Sequence, residues 1–236
     1  MSKAYLELEE VEKLEAAAEY LRDKLLIRLL FHLGCRVSEV LAITVDDIAL
    51  ERKQVTIKHL KTRLKLFCPH CEARLSKAHR FCPGCGHAVE KAEEREKELQ
   101  RFRKLPLNAA TFALLKDYVR RGGMVSRNGK RYLFGINRHR AWQIVKDCAV
   151  RAGLPRLVNT ETGKVHSVSP HRLRDAFAVM AVKQDDSGNG LRMLQEHLGH
   201  QSITTTMRYR KVSGEEHKEW YQGLWEKQGG RKDAQV

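Results

Sequence analysis

The sequence predicts an α+β fold, mostly α-helical, with one small antiparallel sheet and a four-cysteine insertion between two strands. Three observations carry this expectation. Most of the chain places apolar residues at helical spacing, punctuated by Gly, Pro and capping residues. Two separated runs, residues 54–64 and 103–107, have the β-branched residues and alternation of paired strands. Between them, C-x2-C occurs twice with ten residues intervening.

The elements follow in order. Residues 5–33 read as two helices: Leu6, Val11, Leu14 and Ala18 mark the first, and RDKLLIRLLFHLG is a more buried second that stops at Gly34. Val37 to Ala42 is a short helical stretch, and VDDI is turn-like. QVTIKHLKTRL is a strand approaching a hairpin, and RKLPL is its return strand. Asn108 starts a helix that stops at Gly122-Gly123. Asn128-Gly129 is a turn leading into a short strand, and HRAWQIVKDCAVRAG is a further helix with a Gly stop. LVNTETGKVHSVS is a loop or hairpin. Ser169 as N-cap and Pro170 as first helical residue open SPHRLRDAFAVMAVKQ. LRMLQEHLG closes on Gly199, and Ser202 caps ITTTMRYRKV. GEEHKEWYQGLWEK is a closing helix carrying Trp220, Leu224 and Trp225.

Composition narrows the partners. Of 236 residues, 42% are hydrophobic and 31% charged, which suits a soluble globular chain. No run approaches the roughly 20 apolar residues of a membrane span, and the N-terminus MSKAYLELEE has no apolar signal region. A cytoplasmic protein is expected. The formal charge is +15. An excess of this size points to a polyanion. A lipid surface would want a basic amphipathic helix at a terminus, whereas the N-terminal helix is acidic, so nucleic acid is the expected partner.

Six cysteines without an export signal argue against disulfides. Cys68, Cys71, Cys82 and Cys85 have the spacing that lets four thiolates meet at the corners of a tetrahedron, as a closed structural Zn²⁺ site requires. His70, His79 and His87 are nearby alternatives as ligands, but four sulfurs already complete a site. The expected organisation is a body of residues 1–67 and 101–236 with residues 68–100 inserted as a zinc ribbon and charged arm. EKAEEREKELQRF, with pairs such as Glu93–Lys97, reads as a solvated helix or mobile arm. Cys35 and Cys148 read as small buried packing residues.

One phenol stands in a cationic cluster: Tyr209 in MRYRKV. A tyrosine has a pKa of about 10 and needs a base and a cationic pocket to act as a nucleophile. His171 and Arg174, three apart on the first turns of a helix, share a face near an anion-favouring N-terminus. Arg36 follows a glycine stop, and His200 sits in a turn between helices. Together these are a phosphoryl-transfer set. Singly each has a plainer reading: Arg36 paired with Glu39, His171 and Arg174 on a solvated face, His200 at a helix end, Tyr209 in the core.

The blocks GCRVSE, HRLR and HLGHQSITTTMRY, in this order, resemble the tyrosine recombinase (phage integrase) family, from about Tyr5 to Trp225 apart from the cysteine excursion. The resemblance implies that family's catalytic fold acting on double-stranded DNA. Tyr209 would attack a DNA phosphorus and form a 3′-phosphotyrosyl link. Arg36 and Arg174 would clamp the non-bridging oxygens, His171 would serve as base, and His200 would hydrogen-bond the phosphate. A hairpin lysine would protonate the leaving 5′ oxygen; Lys61 fits the family's position, with Lys58, Lys65 and Lys104 as alternatives. The family assembles as tetramers on DNA by exchanging its C-terminal helix, so a homo-oligomer is expected. Two other readings compete: relaxation of the type IB topoisomerase kind, and a non-catalytic DNA-binding zinc-ribbon regulator.

Three departures stand out. The family has a separate N-terminal clamp domain, and too few residues precede the catalytic blocks to form one, so an accessory DNA-binding protein is a possible partner. The cysteine insertion interrupts the lysine hairpin. Asp175-Ala176 replaces the family's more usual His-Ser/Thr after H-x-L-R. Residues 51–104 hold 15 Lys/Arg against 7 Asp/Glu, a net +8. This suggests an added DNA clamp, with a protein-contact module as the plainer reading.

Overall fold

The computed structural model of the chain describes residues 4–58, 64–76, 78–89, 92–96, 102–159, 162–210 and 221–222. In chain order the elements are α1 (Leu8–Ala16), α2 (Leu21–His32), α3 (Val37–Leu41), a 3-10 turn (Val45–Asp47), β1 (Ile48–Ala49), β2 (Gln54–Lys58), β3 (Leu64–Phe67), β4 (Arg74–Leu75), β5 (Glu93–Glu96), β6 (Phe102–Pro106), α4 (Ala109–Arg120), β7 (Val125–Arg127), β8 (Lys130–Tyr132), α5 (Arg138–Arg151), β9 (Leu157–Val158), β10 (Val165–His166), α6 (Pro170–Gln184), α7 (Gly188–Leu198) and α8 (Ile203–Met207). They form two compact units. One joins the residues up to Arg36 with those from His139 on; the other is Val37–Arg138.

The first unit is helical. Nearly every apolar residue of α2 is buried, from Leu25 through Phe31, because α2 packs against both α1 and α6. α6 in turn packs on α7, and α7 on α8. Ala178, Val182, Leu191, Leu194 and Leu198 form a continuous apolar cluster there, with Phe177 and Tyr209 lying against it. Arg28, in the middle of α2, is met by Glu15 of α1, its Nε–H shared between the two carboxylate oxygens at 2.8 and 2.9 Å. Cys35 and Cys148 are buried, as expected of packing residues. The ends of α7 follow from its sequence: the Ser187 hydroxyl accepts from Gly190 N–H, and Gly199, at φ +67°, takes the left-handed turn that only glycine adopts without penalty.

The second unit carries most of the strands. β1, β2 and β6 form an antiparallel sheet in that order, with Val55 opposite Leu105 and Ile57 opposite Arg103. The pairing of β2 with the 103–107 segment is thus as expected. Val55, Ile57 and Leu105 bury one face. β7 and β8 close through Asn128 (φ +50°) and Gly129 (φ +71°), the turn that matches strand twist. Asn108 caps α4, its Oδ1 accepting from Thr111 N–H at 2.8 Å. Tyr118 of α4 donates to the carbonyl of Leu133 at 2.8 Å.

Several expectations need correction. The sequence promised one small sheet; the described residues form four, all antiparallel. Glu93–Glu96 is not helical but is strand β5, paired along β3. Its charged composition favours a helix locally, but the open edge of β3 offers a full ladder of backbone partners, and tertiary pairing overrides propensity. Ser169 occupies the N-cap of α6, yet its side chain makes no capping bond. α8 ends at Met207, so Tyr209 follows the helix rather than lying within it. Lys61 lies outside the described residues, as do Trp220 and Trp225; of the expected closing helix, Tyr221 and Gln222 are described and are helical.

Candidate active site and candidate metal centre

Arg174 is the hub of the first unit's polar cluster. Four residues past the proline that opens α6, it is only 3% exposed. A buried guanidinium needs partners, and backbone carbonyls supply two. Nη1 donates to Gly34 O at 2.6 Å, and Nη2 donates to Leu198 O at 2.8 Å. The first bond ties α6 to the turn after α2, two residues before Arg36, which is half-buried on that turn. Gly34 makes this turn possible. Its φ is +53°, and a Cβ there would lie 2.5 Å from Phe177 Cδ1.

His200 follows the left-handed Gly199. Its Nε2 is 3.1 Å from Arg174 Nη2 and its Nδ1 is 2.9 Å from Thr206 Oγ1. Arginine can only donate, so Nε2 accepts, and Nδ1 carries the proton toward the threonine. That pins the ring between α6 and α8. The ring of Tyr209 lies nearly parallel to it, with centroids 6.4 Å apart at 14°. Just beyond, Arg210 meets Asp186 at 3.0 Å, anchoring the segment after α8 to the α6–α7 connection.

The hydroxyl of Tyr209 donates to Asp175 Oδ1 at 2.9 Å. The other oxygen of Asp175 accepts from Arg172 Nη1, also at 2.9 Å, and His171 Nε2 stands 3.8 Å from Oδ1. Burial pushes the phenol's pKa well above its usual value, and the neighbouring Asp175 charge and hydrogen bond add to this, while Arg174 pulls the other way.

Four of the six predicted site residues are therefore gathered here: Arg174, His200 and Tyr209 directly, and His171 through Asp175. Arg36 lies on the turn that Arg174 grips. Lys61 falls outside the described residues. Of its alternatives, Lys58 is engaged with Asp47 at 2.7 Å, and Lys104 lies in β6 opposite Thr56. Glu39, offered as the plainer partner of Arg36, accepts from Arg103 at 2.9 Å. Sequence reasoning noted Asp175 only as a departure and missed Arg172 and Thr206. The spacing of His171 and Arg172 from Asp175, four and three residues on a helix, was the available signal.

The second unit holds the four cysteines. Cys68, Leu75 and Cys82 are buried, with Leu66, Ala73, Val89 and Ala92 around them. All four sulfurs lie within 4.8 Å of one another; Cys68–Cys85 is 3.6 Å and Cys71–Cys82 is 3.5 Å. A tetrahedron of bonds near 2.3 Å has edges of about 3.8 Å, so the donor set fits such an ion. Backbone amides aim at the sulfurs: Gly84 N–H donates to Cys82 Sγ at 3.3 Å. Burial raises the Cys82 thiol, but the amides of Cys85 and Gly84, together with hydrogen bonds from the Cys71 and Cys68 thiols, outweigh it and bring it to about 6. A Cβ on Gly84 would sit 2.9 Å from that of Ala73 and 3.4 Å from Cys71 Sγ. His79 Nδ1 accepts from Ser76 N–H, and His70 stacks on His87 at 4.6 Å.

Comparison with known proteins supplies the context. The model of the phage integrase family matches residues 4–216. Tyrosine recombinase XerD of Bifidobacterium longum is 32% identical over 195 residues, covering 83% of this chain and 51% of that protein. The chain spans about half the length of the curated relatives it matches. Among solved structures, XerA recombinase aligns with a TM-score of 0.60 at 19% identity, covering 94% of this chain and 64% of that one. A XerH site-specific recombinase bound to its difH substrate aligns at 0.59 and 22%, covering 92% and 53%. At these identities the two structures speak for the fold. Among the described residues, no helix is long and apolar enough to cross a membrane.

Proposed function

This chain belongs to the phage integrase family, and on that premise we propose that it is a site-specific DNA recombinase that cuts and rejoins strands through a 3′-phosphotyrosyl intermediate. The observation that supports this best is the cluster of Arg174, His200 and Tyr209, brought together from α6, the turn between α7 and α8, and the segment after α8.

In this reading a DNA phosphate enters beside Arg174. Arg36 and Arg174 bind its non-bridging oxygens, whose charge grows in the transition state. His200, braced on Thr206, hydrogen-bonds the same phosphate. The Tyr209 oxygen attacks phosphorus, the bond to the 5′ oxygen breaks, and that oxygen takes a proton from a hairpin lysine, Lys61 by the family's pattern. His171 is the base assigned by the same pattern. The phosphotyrosyl bond conserves the energy of the phosphodiester, so the reverse attack by a 5′-hydroxyl reseals the strand without ATP.

The catalytic body is assigned to residues 1–67 and 101–236, and residues 68–100 to the inserted ribbon. Cys68, Cys71, Cys82 and Cys85 would hold a structural Zn²⁺, which would fold a segment too short to fold on its own core. Its basic surroundings suit a DNA clamp. Assembly on DNA would use the C-terminal segment of a second copy, and an accessory DNA-binding protein would supplement the clamp. The exchange of the C-terminal segment follows from the family's pattern.

The test is covalent trapping on a pool of nicked duplexes, randomised around the nick, that lose the 5′-hydroxyl fragment on cleavage. The native chain is expected to form a protein–DNA adduct and Tyr209→Phe none. A native chain that forms no adduct while binding duplex DNA would be a regulator, and the enzyme reading would fall.

A further inference from the structure

The family's pattern gives the base role to His171, but the phenol does not touch it. The Tyr209 hydroxyl instead donates to Asp175 Oδ1 at 2.9 Å. His171 Nε2 is 3.8 Å from that same oxygen, too far for a hydrogen bond, and its side chain is 71% exposed. Asp175 is buried and held: Arg172 binds Oδ2 at 2.9 Å, which fixes the carboxylate and turns Oδ1 to the phenol. A proton acceptor must first be within reach of the proton it takes, and by that criterion the carboxylate precedes the imidazole.

We infer that Asp175 is a catalytic residue, the immediate acceptor of the Tyr209 proton, and that His171 receives the proton from it. The inference rests on Tyr209 being the nucleophile. As the Tyr209 oxygen forms its bond to phosphorus, its O–H bond breaks and the proton moves to Asp175 Oδ1. The leaving 5′ oxygen is protonated separately, by the hairpin lysine. Asp175 then passes its proton to His171 Nε2, which swings in by less than an ångström and exchanges with water. Resealing runs the same steps backwards. The phenol's single proton points at the carboxylate, which leaves an oxygen lone pair for phosphorus.

A carboxylate is a weak base toward a resting phenol. The phenol becomes a strong acid only as the oxygen bonds to phosphorus, so proton transfer is timed to the attack. The competing role for the same contact is a brake that holds the nucleophile away from DNA. The two roles predict opposite effects of removing the charge.

The test uses the full chain and the nicked-duplex trap, with adduct formation timed under single-turnover conditions. Asp175→Asn keeps the shape and can still accept from Arg172, but cannot take a proton. Adduct formation is expected to slow by about 100-fold or more, with duplex affinity retained. Installing 3,5-difluorotyrosine at position 209, a more acidic phenol, should recover at least about 10-fold of that loss. Asp175→Glu should fall between. If D175N does not fold, D175S carries the same comparison. D175N that reacts at or above the native rate makes Asp175 a brake and overturns the inference. A slowed variant that the acidic phenol does not rescue makes its role structural and overturns it too. The native chain and Y209F report separately on the nucleophile: no adduct from the first, or an adduct from the second, removes the parent reading.

Discussion

Replacing Gly34 with alanine tests the joint between fold and site. Two costs are expected. At φ +53° an L-residue loses roughly 1–2 kcal/mol. The new Cβ would also stand 2.5 Å from Phe177 Cδ1 and 2.9 Å from Leu198 Cδ2. Relieving such overpacking costs roughly 1–3 kcal/mol. The sum is about 2–5 kcal/mol. Gly153→Ala is the matched control: its φ is +62°, but nothing lies within 4 Å of its Cβ, so only the backbone cost remains. The difference, about 1–3 kcal/mol, should lower the urea midpoint of G34A below that of G153A by about 0.3–1 M for a slope near 3 kcal/mol/M. Far-UV circular dichroism against urea reads it. Because the Gly34 carbonyl holds Arg174 at 2.6 Å, G34A should also slow adduct formation more than G153A does. Equal midpoints for the two variants would refute the close approach of α6 and α7 to this turn.

Three further outcomes are expected. Metal analysis of the purified chain should find one zinc per chain and Cys82→Ser none, and Gly84→Ala should surrender zinc to a chelator faster than the native chain; a native chain grown with ample zinc yet carrying no metal would remove the ribbon assignment. The raised pKa of Tyr209 makes a signed prediction: a folded-state value above the unfolded one gives stability that is present below about pH 10 and lost as pH rises beyond it. Native minus Tyr209→Phe stability should therefore decline between about pH 9 and 11, and a flat difference would contradict the buried, Asp175-bound phenol. Asp47 carries the opposite sign. Burial pushes its carboxyl up, but Lys58 and two hydrogen bonds from Thr44 outweigh this and hold it below the usual range. Its contribution is present above about pH 4 and lost as pH falls, so Asp47→Asn should be less stable at neutral pH by about 1 kcal/mol and lose less on acidification, read as urea midpoints.

What the sequence made legible divides along a physical line. Signals carried by residue type at short range were readable: the Asn108 cap, the Asn128-Gly129 turn, the Gly199 stop, the alternation of Val55 and Ile57, and the cysteine spacing that brings four sulfurs within 4.8 Å. Signals carried by the backbone at long range were not. Arg174 was singled out by type, but what orients it are carbonyls of Gly34 and Leu198, 140 and 24 residues away. Every residue has a carbonyl, so no residue type announces such a partner. β5 was misread for the same reason, since its partner is a strand edge. Asp175 lay between these cases. Its helical neighbours Arg172 and His171 were visible at three and four residues, but its third partner, Tyr209, is 34 residues downstream. That third contact changes the chemistry. A phenol whose proton is held more tightly by burial and a neighbouring carboxylate is a worse nucleophile at rest than free tyrosine. In the proposed reaction, the group that strengthens the O–H bond at rest is the group that receives the proton during attack. The cationic stabilisation proposed for Arg36 and Arg174 would not substitute for that acceptor, because it would act on the phosphoryl oxygens and leave the proton on the attacking one.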